Sequence, residues 1–174
     1  QALVRRMRPD LTVVPLRGNV DTRLRKLDEG VADATLLANA GLRRLGLEAH
    51  IASVVSSDLM LPACAQGAIG IEVRADDAET TALVAAINHQ PSALCVEMER
   101  AFLGRLDGSC RTPIAGLAVL EAGSVHFRGL ILTPDGREAH ATDRRGPPQE
   151  AVKLAVDAAE ELLAKAGPDF LRTA

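Results

Sequence analysis

Ile114-Ala115-Gly116-Leu117-Ala118-Val119-Leu120 is the first of three β-type runs that follow one another without interruption. The second is Ser124 to Thr133 and the third is Glu138 to Arg144. Glu121-Ala122-Gly123 and Pro134-Asp135-Gly136 lie between them, glycine-closed spacers that reverse a strand into a hairpin. Downstream, Gly146-Pro147-Pro148 opens a long helix, Gln149 to Ala166, with apolar residues at 152, 155, 159, 162 and 163 and a last turn at Phe170-Leu171. Upstream, Leu94, Met98, Ala101 and Phe102 recur at helical spacing; Gly108 and Ser109 end that helix, and Pro113 forbids an early restart. The result is a helix–three strands–helix module, an antiparallel sheet with one face covered by helices.

The preceding residues have another texture. Leu11 to Leu16 is a short β-type run from which Gly18 lets the chain turn, and Val20 to Leu27 reads as a helix with Asn19 as N-cap. Ala32 to Ala38 is a second apolar run, followed by a helix over Ala40–Leu45 that Gly46 stops. This alternation indicates a parallel α/β unit, whose ligands bind beyond the carboxyl ends of the strands. Arg17, Gly18 and Asn19 occupy one such end and Leu37 to Asn39 another. No regular element is expected over His50–Leu61, and Pro62–Gly67 is a loop. Ala68–Arg74 alternates as a strand, and Asp76-Asp77-Ala78-Glu79 opens a helix to Asn88 with an acidic first turn that suits the helix dipole. The boundary falls near Asn88–Pro91, giving an α/β lobe over 1–88 and an α+β domain over 89–174.

Composition narrows the partners. Of 20 basic residues, 17 are arginine. Residues 1–46 hold nine basic against five acidic side chains, so they carry +4 and the remainder −7 of a net −3. Arginine presents a planar fork that grips carboxylate or phosphate in bidentate fashion. With neither Tyr nor Trp and just three Phe, stacking platforms for nucleic acid are nearly absent, so a carboxylate-bearing small molecule is the better partner. The apolar runs fall short of a membrane span of about 20 residues, and the N-terminus lacks a signal-peptide pattern. Three cysteines without a CxxC pair argue against a disulfide framework or structural zinc, and the four histidines lack ligand spacing, so no metal is assigned. The sequence reads as cytoplasmic.

Cys110 sits in the loop Leu106-Asp107-Gly108-Ser109-Cys110-Arg111-Thr112-Pro113-Ile114. The cation of Arg111 beside it favours the nucleophilic thiolate, whereas a lone cysteine also serves as a small packed hydrophobe. Local features leave both readings open. The same holds for Arg23 and Arg44, each beside other charges as on a solvated face.

Together with Glu99-Arg100-Ala101-Phe102-Leu103, that loop resembles the cofactor-attachment segment of the hydroxymethylbilane synthase family, also called porphobilinogen deaminase. Leu16-Arg17-Gly18-Asn19-Val20-Asp21-Thr22-Arg23-Leu24 and Pro62-Ala63-Cys64-Ala65-Gln66-Gly67-Ala68-Ile69-Gly70 agree with it in the same order. The resemblance implies an enzyme of tetrapyrrole (haem) biosynthesis, a transferase that joins four porphobilinogen units head to tail with release of ammonia. It implies a dipyrromethane cofactor in thioether linkage to Cys110, with Arg17, Arg23 and Arg44 on the carboxylates of the linear pyrrole polyanion. Gly18, Asn19, Gln66, Gly67 and Ala68 then line the cofactor, where small residues permit close approach.

By the same resemblance the first part is a truncated parallel α/β lobe, periplasmic-binding-protein-like, and residues 68–88 are a segment that returns to the family's first domain. Ala65 and Ser109 stand where the family usually has glycine. The family's catalytic aspartate has no match in residues 1–174, so no catalytic residue is assigned. Two functional readings follow: a hydroxymethylbilane synthase, or a minimal non-synthase relative that keeps the covalent dipyrromethane for binding or redox chemistry. Apolar surface and sheet edges on a truncated lobe lead to an expectation of self-association.

Overall fold

The computed structural model describes residues 1–109, 111–167 and 170–171. They form two compact units, one of residues 10–59 and the other of residues 1–9 with 60 onward.

The larger unit is built on the expected meander. Strands β1 (Ile114–Glu121), β2 (Ser124–Leu132) and β3 (Ala139–Gly146) form an antiparallel sheet in the order β1-β2-β3. Glu121 pairs with Ser124, so the first hairpin closes in two residues, Ala122 and Gly123, both at positive φ (49° and 77°). That conformation matches the twist of the strands it joins. The second connection runs from Thr133 to Glu138, with Gly136 at φ 75°. Two helices cover one face: α5 (Gln90–Arg105) packs on β1, and α6 (Ala151–Ala166) packs on β3 and on α5. Phe102 of α5 meets Phe127 of β2 edge-on, ring centroids 4.9 Å apart, among Met98, Leu106, Ile114, Val125 and Ile131. On α6 the buried positions are mainly alanines (151, 155, 158 and 159, with Leu162), so its backbone lies close to the sheet.

Two earlier segments join this unit. A short helix not foreseen from sequence, α1 (Ala2–Met7), rests on the second hairpin: Arg5 Nη1 donates to the carbonyl of Pro134 at 2.8 Å and Arg6 Nη1 to that of Arg137 at 3.2 Å. The Pro62–Gly67 segment is the expected loop. It is tied to the sheet because the Gly116 amide donates to the Pro62 carbonyl at 3.0 Å. Helix α4 (Ala78–Ala85) is capped by Asp77, whose Oδ1 accepts from the Thr80 amide at 2.9 Å.

The smaller unit holds α2 (Val20–Asp28), α3 (Asn39–Arg44) and a 3-10 turn at Glu48–His50. Here and at 68–74 the structure departs from expectation. Residues 11–16, 32–38 and 68–74 read as strands by composition, yet none of them enters a ladder among the described residues. A strand satisfies its amides and carbonyls only against a neighbour, and no described segment pairs with any of the three. Their side chains are correspondingly open: Leu11 is 45 % exposed, Leu36 55 % and Ile69 86 %. Among the described residues the sheet formed is the antiparallel one of the expected α+β part, and residues 1–88 show no strand pairing that would display the expected parallel lobe.

Candidate functional site

In the smaller unit, four of the residues singled out from sequence form one local device. Gly18 stands at φ 131°, and a Cβ there would lie 2.6 Å from the Thr22 Cγ2 atom, so glycine is required twice over. Asn19 caps α2: its Oδ1 accepts from the Thr22 amide at 2.9 Å. Arg23, one turn into the helix, returns its Nε to the Gly18 carbonyl at 3.0 Å, and Lys26 returns its Nζ to the Arg17 carbonyl at 2.9 Å. The loop that precedes α2 is therefore held by the helix's own cationic side chains, while buried Leu24 anchors the opposite face. The guanidinium of Arg17 is exposed. Arg44 lies on a different element of this unit, exposed in the last turn of α3, which Leu42 anchors. At the start of α3, the Asn39 Oδ1 atom is buried with no hydrogen-bond partner among the described residues.

In the larger unit, Gln66, Gly67 and Ala68 are exposed on a tight turn. The Gln66 amide donates to the Ala63 carbonyl at 3.0 Å and the Ala68 amide to the Ala65 carbonyl at 3.1 Å. Ala65 and Gly67 both have positive φ, 59° and 85°. Beneath the turn, Cys64 points into the core, where a Cβ on Gly116 would come within 2.8 Å of its sulfur. Burial, reinforced by the nearby Glu99 carboxylate, pushes the Cys64 thiol from 9.0 up to about 12. The same two causes raise Cys95. Both pack, partly buried, against the core.

Glu99 was not foreseen. It is 6 % exposed on α5, with one carboxylate oxygen accepting from the Ala65 amide at 2.5 Å and the other from the Ala118 amide of β1 at 2.8 Å. Burial lifts its carboxyl above the ordinary value of 4.5, against the downward pull of those two amides.

Cys110 lies outside the described residues. Its neighbours on either side are linked to each other. The Ser109 amide donates to the Thr112 hydroxyl at 3.1 Å, and the Arg111 amide donates to the Ser109 hydroxyl at 3.3 Å. Gly108 is closely packed: a Cβ there would sit 2.5 Å from Ile114 Cδ1 and 2.6 Å from Leu103 Cδ1, and both side chains would have to shift. Among the described residues no group of three or more His, Cys, Asp or Glu side chains could hold a metal ion. No described helix is long and apolar enough to cross a membrane.

The donor chemistry fits a dipyrromethane. Each pyrrole bears acetate and propionate, and among the smaller unit's five arginines are Arg17 and Arg44, both exposed, and Arg23, fixed by its loop. The buried, unpartnered acceptor on Asn39 has the polarity a pyrrole N–H requires.

Comparison with known proteins agrees. Residues 1–82 match the family model described as porphobilinogen deaminase, dipyromethane cofactor binding domain, and residues 93–164 match the porphobilinogen deaminase C-terminal domain. The chain is 57% identical over 164 residues to the porphobilinogen deaminase of Paracoccus denitrificans, covering 94% of this chain and 52% of that protein. It is 51% identical over 170 residues to that of Nitrobacter hamburgensis, covering 98% of this chain and 54% of the relative. The chain spans about half the length of the curated relatives it matches. Two consecutive domain models and two close relatives converge on one assignment: the chain belongs to the porphobilinogen deaminase family.

Proposed function

We propose that this chain is the cofactor-bearing part of a hydroxymethylbilane synthase, holding dipyrromethane through Cys110 and taking porphobilinogen as substrate. The observation that carries the reading is the loop at Arg17-Gly18-Asn19, locked to α2 by Arg23 within the segment that matches the cofactor-binding model. When bound, the dipyrromethane supplies the nucleophilic pyrrole carbon to which porphobilinogen units are added.

The chain's own residues have distinct tasks. Cys110 would hold the group through a C–S bond to the exocyclic methylene carbon of a porphobilinogen unit, whose C–N bond breaks with release of ammonia, and the Arg111 cation next in sequence favours the thiolate. Arg17, Arg23 and Arg44 receive acetate and propionate groups. A charge-assisted hydrogen bond of this kind contributes about 1.5–3 kcal/mol. Gln66, Gly67 and Ala68 give close approach on a turn whose exposed residues are small or flexible, and Gly18 and Asn19 set the direction of Arg17. None of the described residues is assigned as the acid that handles the pyrrole nitrogens. The functional division of the chain stays at residue 88, with self-association through the truncated lobe of residues 1–88.

Intact mass decides the matter, measured on the wild-type chain and on Cys110→Ser after incubation with porphobilinogen, with turnover followed in the same samples. The expected result is an added mass of two linked pyrroles, absent from the variant. Turnover establishes a synthase; attachment without turnover supports a relative that keeps dipyrromethane for another purpose. An unmodified wild-type chain removes the proposal.

A further inference from the structure

We propose that Glu99 is a positioning residue for the Ala63–Ala68 turn, holding Gln66, Gly67 and Ala68 in the conformation in which they meet the cofactor. The link to the cofactor rests on the function proposed above; the hold on the turn does not.

A carboxylate on an apolar helix face needs a reason. Cys95, Met98, Glu99 and Phe102 share one face of α5, and Met98 and Phe102 are core residues. Burying a charge without a cation is costly unless its oxygens are hydrogen-bonded. The partners of Glu99 among the described residues are two backbone amides, one from each of two segments remote in sequence from α5 and from each other. The carboxylate therefore joins three pieces of chain: the turn, the helix and the first strand.

The turn depends on this joint because of Ala65. Its φ of 59° is disfavoured for any residue with a Cβ, and glycine is what such a position prefers. Reverting to negative φ swings the peptide plane that carries the Ala65 amide and breaks the 2.5 Å bond to Glu99. Further along, the Ala68 amide bonds to Ala65's own carbonyl, so the conformation of Ala65 is passed directly to Gln66, Gly67 and Ala68. Pro62, fixed to Gly116, holds the start of the segment. The thiols facing the carboxylate, Cys64 from the turn and Cys95 from α5, are un-ionised at neutral pH and cannot replace it as acceptors for both amides.

Glu99→Gln tests this, with Ala65→Gly as its partner. Glutamine keeps the shape but has one acceptor oxygen in place of two. Amide hydrogen exchange on the 174-residue chain is expected to show about tenfold lower protection at Ala65 through Ala68 in Glu99→Gln, with Phe127 and Ile131 of the sheet unchanged. Dipyrromethane loading, read by intact mass, is expected to slow about tenfold. Adding Ala65→Gly is expected to restore loading to within about threefold, because glycine adopts the turn without the carboxylate. Unchanged protection at Ala65 in Glu99→Gln overturns the proposal. So does uniform loss of protection across sheet and turn that Ala65→Gly does not reverse, since Glu99 is then a general support of the core. If the wild-type chain takes up no dipyrromethane, the functional reading fails by itself, and the exchange measurements still decide the role of Glu99.

Discussion

Arg23 donates its Nε to the carbonyl of Gly18 at 3.0 Å, so a side chain within α2 closes the loop that leads into it. Lysine lacks the guanidinium's planar fork and cannot hold a carbonyl and a carboxylate with one fixed geometry. Arg23→Lys is therefore expected to reduce dipyrromethane loading by about tenfold, equivalent to about 1.4 kcal/mol. Intact-mass time courses against wild type measure this. Equal rates remove Arg23 from the site.

Asn19 has a separable task. Its side chain satisfies one amide of the first turn of α2. Asn19→Ala is expected to cost about 1 kcal/mol of helix stability, and Asn19→Asp to recover most of it. Urea denaturation followed by helical circular dichroism distinguishes the two variants.

The pH dependence of stability carries a mark of Glu99. Its carboxyl in the folded chain titrates above the ordinary 4.5, chiefly because it is buried. A raised folded value means that the folded state binds the proton more tightly than the unfolded state. The associated stabilisation is complete below 4.5 and is lost as pH rises through the raised value. Relative to Glu99→Gln, the wild-type chain should gain stability as pH falls through that window, and the difference should be level above it. Paired denaturation series at stepped pH report the sign; a difference that moves the other way contradicts the dominance of burial.

Cys64 should be chemically silent. Raising a thiol from 9.0 to about 12 lowers its thiolate fraction at pH 8 by roughly a thousandfold, and the thiolate is the reactive form. Alkylation at pH 8 mapped by peptide mass is expected to leave Cys64 unmodified in the folded chain and to modify it readily in urea. Rapid labelling of native Cys64 would place the sulfur outside the core.

Gly129 is packed from above. A Cβ there would meet Phe102 Cζ at 2.8 Å and Phe127 Cε1 at 3.0 Å. Gly129→Ala is expected to destabilise the larger unit by about 1–3 kcal/mol through overpacking. Thermal denaturation is the measurement, and a neutral result would mean that Phe102 yields more readily than its buried setting implies.

The parts of the fold written in local signals were legible. Ala122-Gly123 and Gly136 announce the two hairpins, the apolar spacing announces α5 and α6, and Asn19 announces α2. Errors at the ends are small: β3 runs from Ala139 to Gly146, not Glu138 to Arg144, and α6 begins at Ala151 because Pro148–Glu150 forms a 3-10 turn first. What escaped depends on distant chain. The apolar runs at 11–16, 32–38 and 68–74 have strand composition, but a strand is a property of a pair. Glu99 has its hydrogen-bond partners on amides 34 residues before and 19 after it, which no local pattern announces. The trace available was its place between Cys95, Met98 and Phe102 on an otherwise apolar helical face. Of the site, Arg17, Gly18, Asn19 and Arg23 are brought together locally, because four neighbours in sequence needed nothing beyond one helix cap.

Gly116 and Gly129 stand directly opposite each other across β1 and β2. Phe102 of α5 presses on one, and Cys64, from the segment that carries the 63–68 turn, presses on the other. Two missing methyl groups thus leave room at facing positions of β1 and β2, one filled from α5 and the other from the segment that Glu99 already ties to that helix. A side chain at either position would push against α5 or against the segment that carries the turn, so these two glycines set how closely both approach the sheet.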